Sequence, residues 1–265
     1  MVSWRLIDTG PLDGPANMAV DEALLASFDP VHSRPVLRLY GWEPPALSVG
    51  RFQDAGEVID LARSRAAGVP VVRRITGGGA VYHAGELTYA IVCAPHHIPR
   101  TVSVKDSFRV LTSFLLRSYR ALGLDASYAI DRLPAGMGLG ERTPVCFAGR
   151  ESYDILIGGR KIGGNAQRRM KNVIFQHGSI PVENRMAEGN AFFSGALPGL
   201  SETAVALRDC GVSASFAELK ECVTGAFRET VGSMLEPDRL TTGEETLAGR
   251  LRNESGRDRG RAACG

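Results

Sequence analysis

The chain of 265 residues is 44% hydrophobic and 23% charged, with a formal net charge of +2. Those proportions suit a globular protein with one sizeable core. They exclude nucleic-acid binding by bulk charge, and no apolar run reaches the ~20 residues of a membrane span, so neither nucleic acid nor membrane is an expected partner.

The opening MVSWRLIDTGPLDG lacks the basic and apolar segments of a signal peptide, which makes the cytoplasm the default location. Five cysteines, Cys93, Cys146, Cys210, Cys222 and Cys264, are an odd count without CxxC spacing. They indicate neither a disulfide framework nor a zinc site.

Residues 15–28 read as an amphipathic helix, with Pro15 near its first turn and Met18, Leu24, Leu25 and Phe28 turned inward. VLRLYGW (36–42) and ALSVGRF (46–52) alternate as strands on either side of a Glu43-Pro44-Pro45 turn. Residues 54–67 read as one helix ending at Gly68. VPVVRRIT, AVYH and LTYAIVCA are strands broken by glycines. Ser103 and Asp106 open a helix that runs to about Leu122 and stops at Gly123. Residues 131–145 are a Gly/Pro-rich loop, and their GMGLG follows no strand, which leaves it without a binding role. In YDILIGGRKIGGNAQ the pair Gly158-Gly159 suits a two-residue hairpin turn. NVIFQHGSIPV (172–182) is a further strand. Ser215/Glu218 and Thr242/Glu245 have the spacing of capping boxes for two C-terminal helices. The expected architecture is α/β, with a mixed, largely antiparallel sheet flanked by helices. It forms a single domain over 1–252, followed by a tail without fixed structure at 253–265.

Two stretches carry chemistry. RRITGGGAVYH (73–83) gives up three side chains in a row between arginines and His83, so a ligand can lie on bare backbone beside charge-assisted donors. The plain alternative is a flexible hairpin with solvated arginines. Neither a P-loop nor a dinucleotide fingerprint fits the spacing. The second stretch contains Cys146 and, 15 residues on, Lys161 beside Gly163-Gly164. A lysine there can hold a carbonyl or phosphate oxygen. His177 follows in FQHGSI. The alternatives are a solvated edge lysine, a buried structural thiol and a structural histidine.

Together RRITGGGAVYH, GGRKIGGNAQ and FQHGSI resemble the signature segments of the lipoate–protein ligase A and octanoyltransferase family. NMAVDEALL and PPALSVGRFQ resemble its opening helix and second strand. The resemblance spans about residues 4–250. It implies the fold of biotin/lipoate protein ligase catalytic domains and the attachment of an eight-carbon acyl chain to a lysine of a small carrier domain. It also implies a substrate site at Arg74, Thr76, Gly77, Gly78, Gly79, His83, Gly164, Ala166 and His177, with Cys146 and Lys161 as the catalytic pair.

Within the family, Cys146 stands where the cysteine-dependent, ligase-like octanoyltransferases carry their nucleophile, and HAGELTYAIV follows the transferase pattern. The chain after about residue 200 is too short for the accessory domain of ligases. Gly79 is the ligase-like choice, and Asn165 stands where serine is common. The implied reaction takes octanoyl, or lipoyl, from acyl carrier protein to Cys146. The group then passes to a lysine of a lipoyl domain of a 2-oxo acid dehydrogenase E2 or of glycine-cleavage H protein, without a cofactor. His83 and His177 are candidate bases for that lysine. Arg150, Arg160, Arg168, Arg169 and Lys171 form a basic group suited to steering an acidic carrier. The alternatives are an ATP- and Mg²⁺-dependent lipoate ligase and a non-catalytic binder of acyl group or carrier.

Overall fold

The computed structural model describes residues 3–99, 103–132, 144–146, 151–195 and 199–262. GMGLG and Arg150 lie outside the described residues. β1 (Ser3–Leu12) leads into α1 (Gly14–Ala26), which Asp13 caps by accepting from the Ala16 amide. β2 (Val36–Trp42) and β3 (Ala46–Val49) follow on either side of the proline turn. The single helix expected over 54–67 is two, α2 (Ala55–Val58) and α3 (Leu61–Ala66). Ile59 between them is extended and bridges to Phe193, and Asp60 restarts the helix by accepting from the Arg63 amide. A tertiary pairing here overrides local helical preference.

β4 (Val71–Arg73), β5 (Val81–His83) and β6 (Glu86–Cys93) surround the glycine run. α4 (Val104–Ala121) starts where Ser103 accepts from the Asp106 amide and stops before Gly123, which has φ +80°. Then come β7 (Ala126–Tyr128) and α5 (Ala129–Arg132). β8 (Ile155–Ile157) and β9 (Arg160–Lys161) form the expected hairpin, its two-residue turn at φ +56° and +76° on Gly158 and Gly159. β10 (Asn165–Met170) and β11 (Val173–Pro181) pair antiparallel. α6 (Met186–Asn190), α7 (Leu200–Thr203), α8 (Phe216–Val231), β12 (Met234–Asp238) and α9 (Thr242–Ala262) complete the chain. α9 continues past the boundary placed at 252, so the tail expected to lack structure is helical as far as Ala262.

Ser215 and Glu218 cap α8 reciprocally, as expected. At α9 the box sits one residue earlier than its expected place. Thr241 Oγ accepts from the Glu244 amide and the Glu244 carboxylate from the Thr241 amide. Arg5 on β1 grips Glu244 at 2.7 Å, which selects it over Glu245.

The main sheet runs β10-β11-β6-β2-β1-β12. Its first three pairings are antiparallel and its last two parallel. α4 and α8 cover one face through Leu111, Phe114, Val223 and Phe227. α1 and α9 cover the other through Val20, Leu24 and Ala248. Burial on both faces explains why β6, ELTYAIVC, reads as a nearly continuous apolar run. A small sheet, β4-β3-β5, carries the glycine turn, and β7-β8-β9 carries Lys161. On α1, Leu24 and Leu25 are buried as expected and Met18 is only partly covered; Phe28, expected in the same helix, lies beyond its end at Ala26 and is only partly covered. Among the described residues, no helix is long and apolar enough to cross a membrane.

Candidate active site

The glycine turn meets the Cys146 segment edge to edge. The Ala80 amide donates to the Pro144 carbonyl at 2.8 Å, and the Cys146 amide donates to the Ala80 carbonyl at 3.1 Å. A Cβ on Gly79 would lie 2.6 Å from the Cys146 nitrogen and 2.8 Å from the Val145 carbonyl carbon. The backbone beside Gly79 is therefore bare because another chain segment lies on it. Gly79→Ala forces that backbone away, with an expected cost of at least about 1–3 kcal/mol. At Gly77 a Cβ meets nothing within 4 Å, so Gly77→Ala serves as the near-neutral control. Thermal melts of the two variants check the contrast.

The Cys146 sulfur rests against Gly164, where a Cβ would be 2.7 Å from Sγ. Behind the sulfur is Lys161, 3% exposed. Its Nζ donates to the Cys146 carbonyl at 2.9 Å, stands 3.9 Å from Sγ and pairs with Asp154 at 2.8 Å. Burial pulls the Lys161 ammonium down, but the sulfur, Asp154 and Glu151 outweigh it, so the group is raised and stays charged at neutral pH. Lys161 supplies positive charge there, not a base.

A cavity of about 470 Å³, part of it open to solvent, runs from Cys146 along Gly78, Gly164 and Ala166 to Trp42, His83 and His177. Its mostly apolar wall suits a ligand with an aliphatic chain. Of the expected site residues, Arg74, Gly78, His83, Cys146, Gly164, Ala166 and His177 line it. Thr76, Gly77, Gly79 and Lys161 are near it but do not line it. Arg74 spends its tips on the fold: Nη1 donates to Ser48 and Nη2 to the Gly77 and Gly79 carbonyls, stapling the turn. Arg73 Nη1 likewise donates to the carbonyls of Gly50, Arg51 and Gln53.

Both histidines are engaged on both sides. His83 stacks on Trp42 at 3.9 Å and meets Ser48 at 2.6 Å and Glu86 at 2.8 Å. His177 Nε2 meets Thr76 Oγ1 at 2.7 Å, and Nδ1 faces Asp21 at 3.6 Å. Below the cavity lies a group that sequence reasoning missed. Asp21 pairs with Arg38 at 2.6 Å and accepts from the Tyr40 hydroxyl at 2.9 Å, with Arg38 wholly buried. A carboxylate inside the apolar face of α1, four residues after Asn17, was the available signal. Burial alone pushes the Asp21 carboxyl up, but Arg38, aided by His177, holds it below its ordinary value.

Burial holds His177 below 6.5, with Asp21 opposing and Arg74 and His83 reinforcing. Burial likewise lowers His97 to about 4. An unfolded imidazole binds a proton near pH 6.5, and these folded ones resist it. Their contribution to stability is thus full above that pH and is lost as pH falls below it. The melting temperature should drop between pH 7 and pH 5, before the lowered carboxylates of Asp21 and Glu86 begin to titrate. Calorimetry at three pH values checks this.

A family model described as the lipoyl protein ligase A/B catalytic domain matches residues 13–234. The chain is 37% identical over 264 residues to an octanoyltransferase LipM of Kyrpidia tusciae, covering 95% of both. It is 41% identical over 180 residues to that of Bacillus subtilis, covering 67% of this chain and 65% of the relative. Among solved structures, a lipoate-protein ligase A bound with ATP aligns at TM-score 0.78 and 27% identity, over 96% of this chain and 95% of the other. A bi-partite lipoate protein ligase of Thermoplasma acidophilum, described with its E2 lipoyl domain, aligns at TM-score 0.75 and 27% identity, over 95% and 92%. A mixed sheet covered on both faces, an apolar-walled cleft on its glycine turn and matches over most of the chain agree: the protein belongs to the lipoyl protein ligase A/B catalytic-domain family.

Proposed function

We propose that this chain is a cytoplasmic protein octanoyltransferase. It takes octanoyl from acyl carrier protein onto Cys146 and passes it to the acceptor lysine of a lipoyl domain or glycine-cleavage H protein. The observation that carries this reading is the Cys146 sulfur at the cavity wall, 3.9 Å from a buried, charged Lys161. The octanoyltransferase LipM relatives support the acyl group, and the neighbour described with an E2 lipoyl domain supports the acceptor.

In the first half-reaction the Cys146 thiolate attacks the carbonyl carbon of the donor thioester. The oxyanion of the tetrahedral intermediate collapses, and the donor thiolate leaves and takes up a proton. In the second, the neutral acceptor amine attacks the Cys146 thioester. The Cys146 thiolate departs, and the amine proton is lost as the amide forms. The Lys161 ammonium stabilises negative charge on sulfur and on the nearby oxyanion in both halves. Exchange of one thioester for another is nearly isoenergetic and calls for no ATP. The gap left by Gly164 gives the sulfur room on the acyl side.

Mixing the protein with octanoyl-carrier protein should add one octanoyl mass to the Cys146 peptide. A parallel arm with lipoate, ATP and Mg²⁺ reads pyrophosphate release. Release of pyrophosphate without an acylated Cys146 overturns the thioester route in favour of the ligase.

A further inference from the structure

Beside the cavity, residues 50–53 form a tight loop that touches both halves of the site. The Arg51 amide donates to the Thr76 carbonyl at 2.8 Å, and Gln53 Nε2 donates to the Pro144 carbonyl at 2.8 Å. Gly50 lies flat on the Gly78 carbonyl, with no room for a Cβ. At the tip of this braced loop Phe52 is 86% exposed. Its ring lies under its own neighbour's guanidinium, with Arg51 Cζ 5.6 Å from the ring centroid. On β10 Arg168 reaches across to the same turn and donates to the Ile75 carbonyl at 3.2 Å. The charge of Arg51 is felt at Arg168, where burial and this repulsion together lower the guanidinium against the pull of Glu22.

An aromatic ring held out into water by a loop this constrained, with the Arg51 guanidinium over it and Arg168 near enough to feel that charge, has the make-up of a protein-recognition hot spot. Its place beside the reacting cysteine narrows the partner. A donor thioester hangs on a long flexible arm, so its carrier can dock at a distance. An acceptor lysine has only a four-carbon stem and must bring its own backbone to the cavity. We propose that Phe52, Arg51 and Arg168 dock the acceptor domain, the ring covering an apolar spot beside the target lysine and the arginines meeting carboxylates around it. This assignment rests on the acyl-transfer reading for the identity of the partner.

Calorimetry of an unmodified lipoyl domain against the intact protein tests it, because binding is read without chemistry. Phe52→Ser should weaken binding ~10-fold. Arg51→Glu and Arg168→Glu should weaken it most at low salt and flatten its ionic-strength dependence. Acylation of Cys146 by a small octanoyl thioester should keep its wild-type rate in Phe52→Ser, which also shows that the variant is folded. Dissociation constants within twofold of wild type for all three variants overturn the proposal. So does a rise confined to the KM for octanoyl-carrier protein, which gives the patch to the donor. Absence of an acyl-enzyme in the wild type counts against the thioester route alone, and the calorimetric result still decides the docking surface.

Discussion

Cys146→Ala should abolish octanoyl transfer to the acceptor lysine, down to the background aminolysis of the donor thioester, while the protein keeps its fold. Sγ occupies the cavity side of a segment pinned to Ala80 by two backbone hydrogen bonds, Ala80 amide to Pro144 carbonyl and Cys146 amide to Ala80 carbonyl, and neither involves the side chain. On the proposed scheme, losing the sulfur therefore removes the nucleophile and little else. Lys161→Met separates the two contributions. Thiol chemistry persists, but charge stabilisation at the sulfur and oxyanion is gone, and kcat should fall by about 10²–10³. That variant also leaves Asp154 without its ion-pair partner, so melting temperatures belong beside the rates. Stopped-flow acylation and acceptor-modification assays give both numbers. Retention of full turnover by Cys146→Ala would remove the covalent intermediate from the scheme.

Asp21→Ala should be the most destabilising single change outside the apolar core, costing about 3–5 kcal/mol. Arg38 is fully buried and, among the described residues, Asp21 is the one anionic partner in its hydrogen-bonded shell. Its other acceptors are the Asn17 carbonyl and side chain and Thr9, and it lies 3.9 Å over the Tyr40 ring. Removing the carboxylate leaves a charge without compensation inside the sheet and takes an acceptor from the Tyr40 hydroxyl. Replacing both partners, Asp21→Leu with Arg38→Met, should recover much of the loss, because an apolar pair needs no compensation. Chemical denaturation of the single and double variants measures it. A loss below about 1 kcal/mol for Asp21→Ala would contradict the account.

The Asp21–Arg38 pair also marks the limit of what the sequence discloses. A mixed sheet flanked by helices, the Gly158-Gly159 hairpin and the α8 capping box are local patterns, and each appears in the structure. The elements that escaped notice are those whose reasons lie elsewhere in the chain. β1 and β12 are strands because they lie parallel to partners far off in sequence, and β12 is exposed at all but one of its positions. The break at Ile59 depends on Phe193, and the register of the last cap on Arg5. At the site, the motifs pointed to residues that line the cavity, and they also singled out Gly79. That glycine answers to the segment preceding Cys146, so its resemblance to a ligase motif here reflects packing. Asp21 and Arg38 carry no motif of their own, and only burial shows what they hold in place.

The pairing of β1 with β12 has a consequence for how the protein is made. β1 lies between β2 and β12, and Arg5 on it reaches Asp238 and Glu244 near the far end of the chain. A growing polypeptide can assemble β2, β6 and β11 against β1 well before Met234 has left the ribosome. Until then one margin of the sheet has unsatisfied amides and carbonyls, which invite strand addition from neighbouring nascent chains. Translation of Met234–Asp238 then covers β1 with a short edge strand bearing Glu236, Pro237 and Asp238, a poorer template for strand addition, and a pause shortly before it prolongs the interval in which aggregation competes with folding.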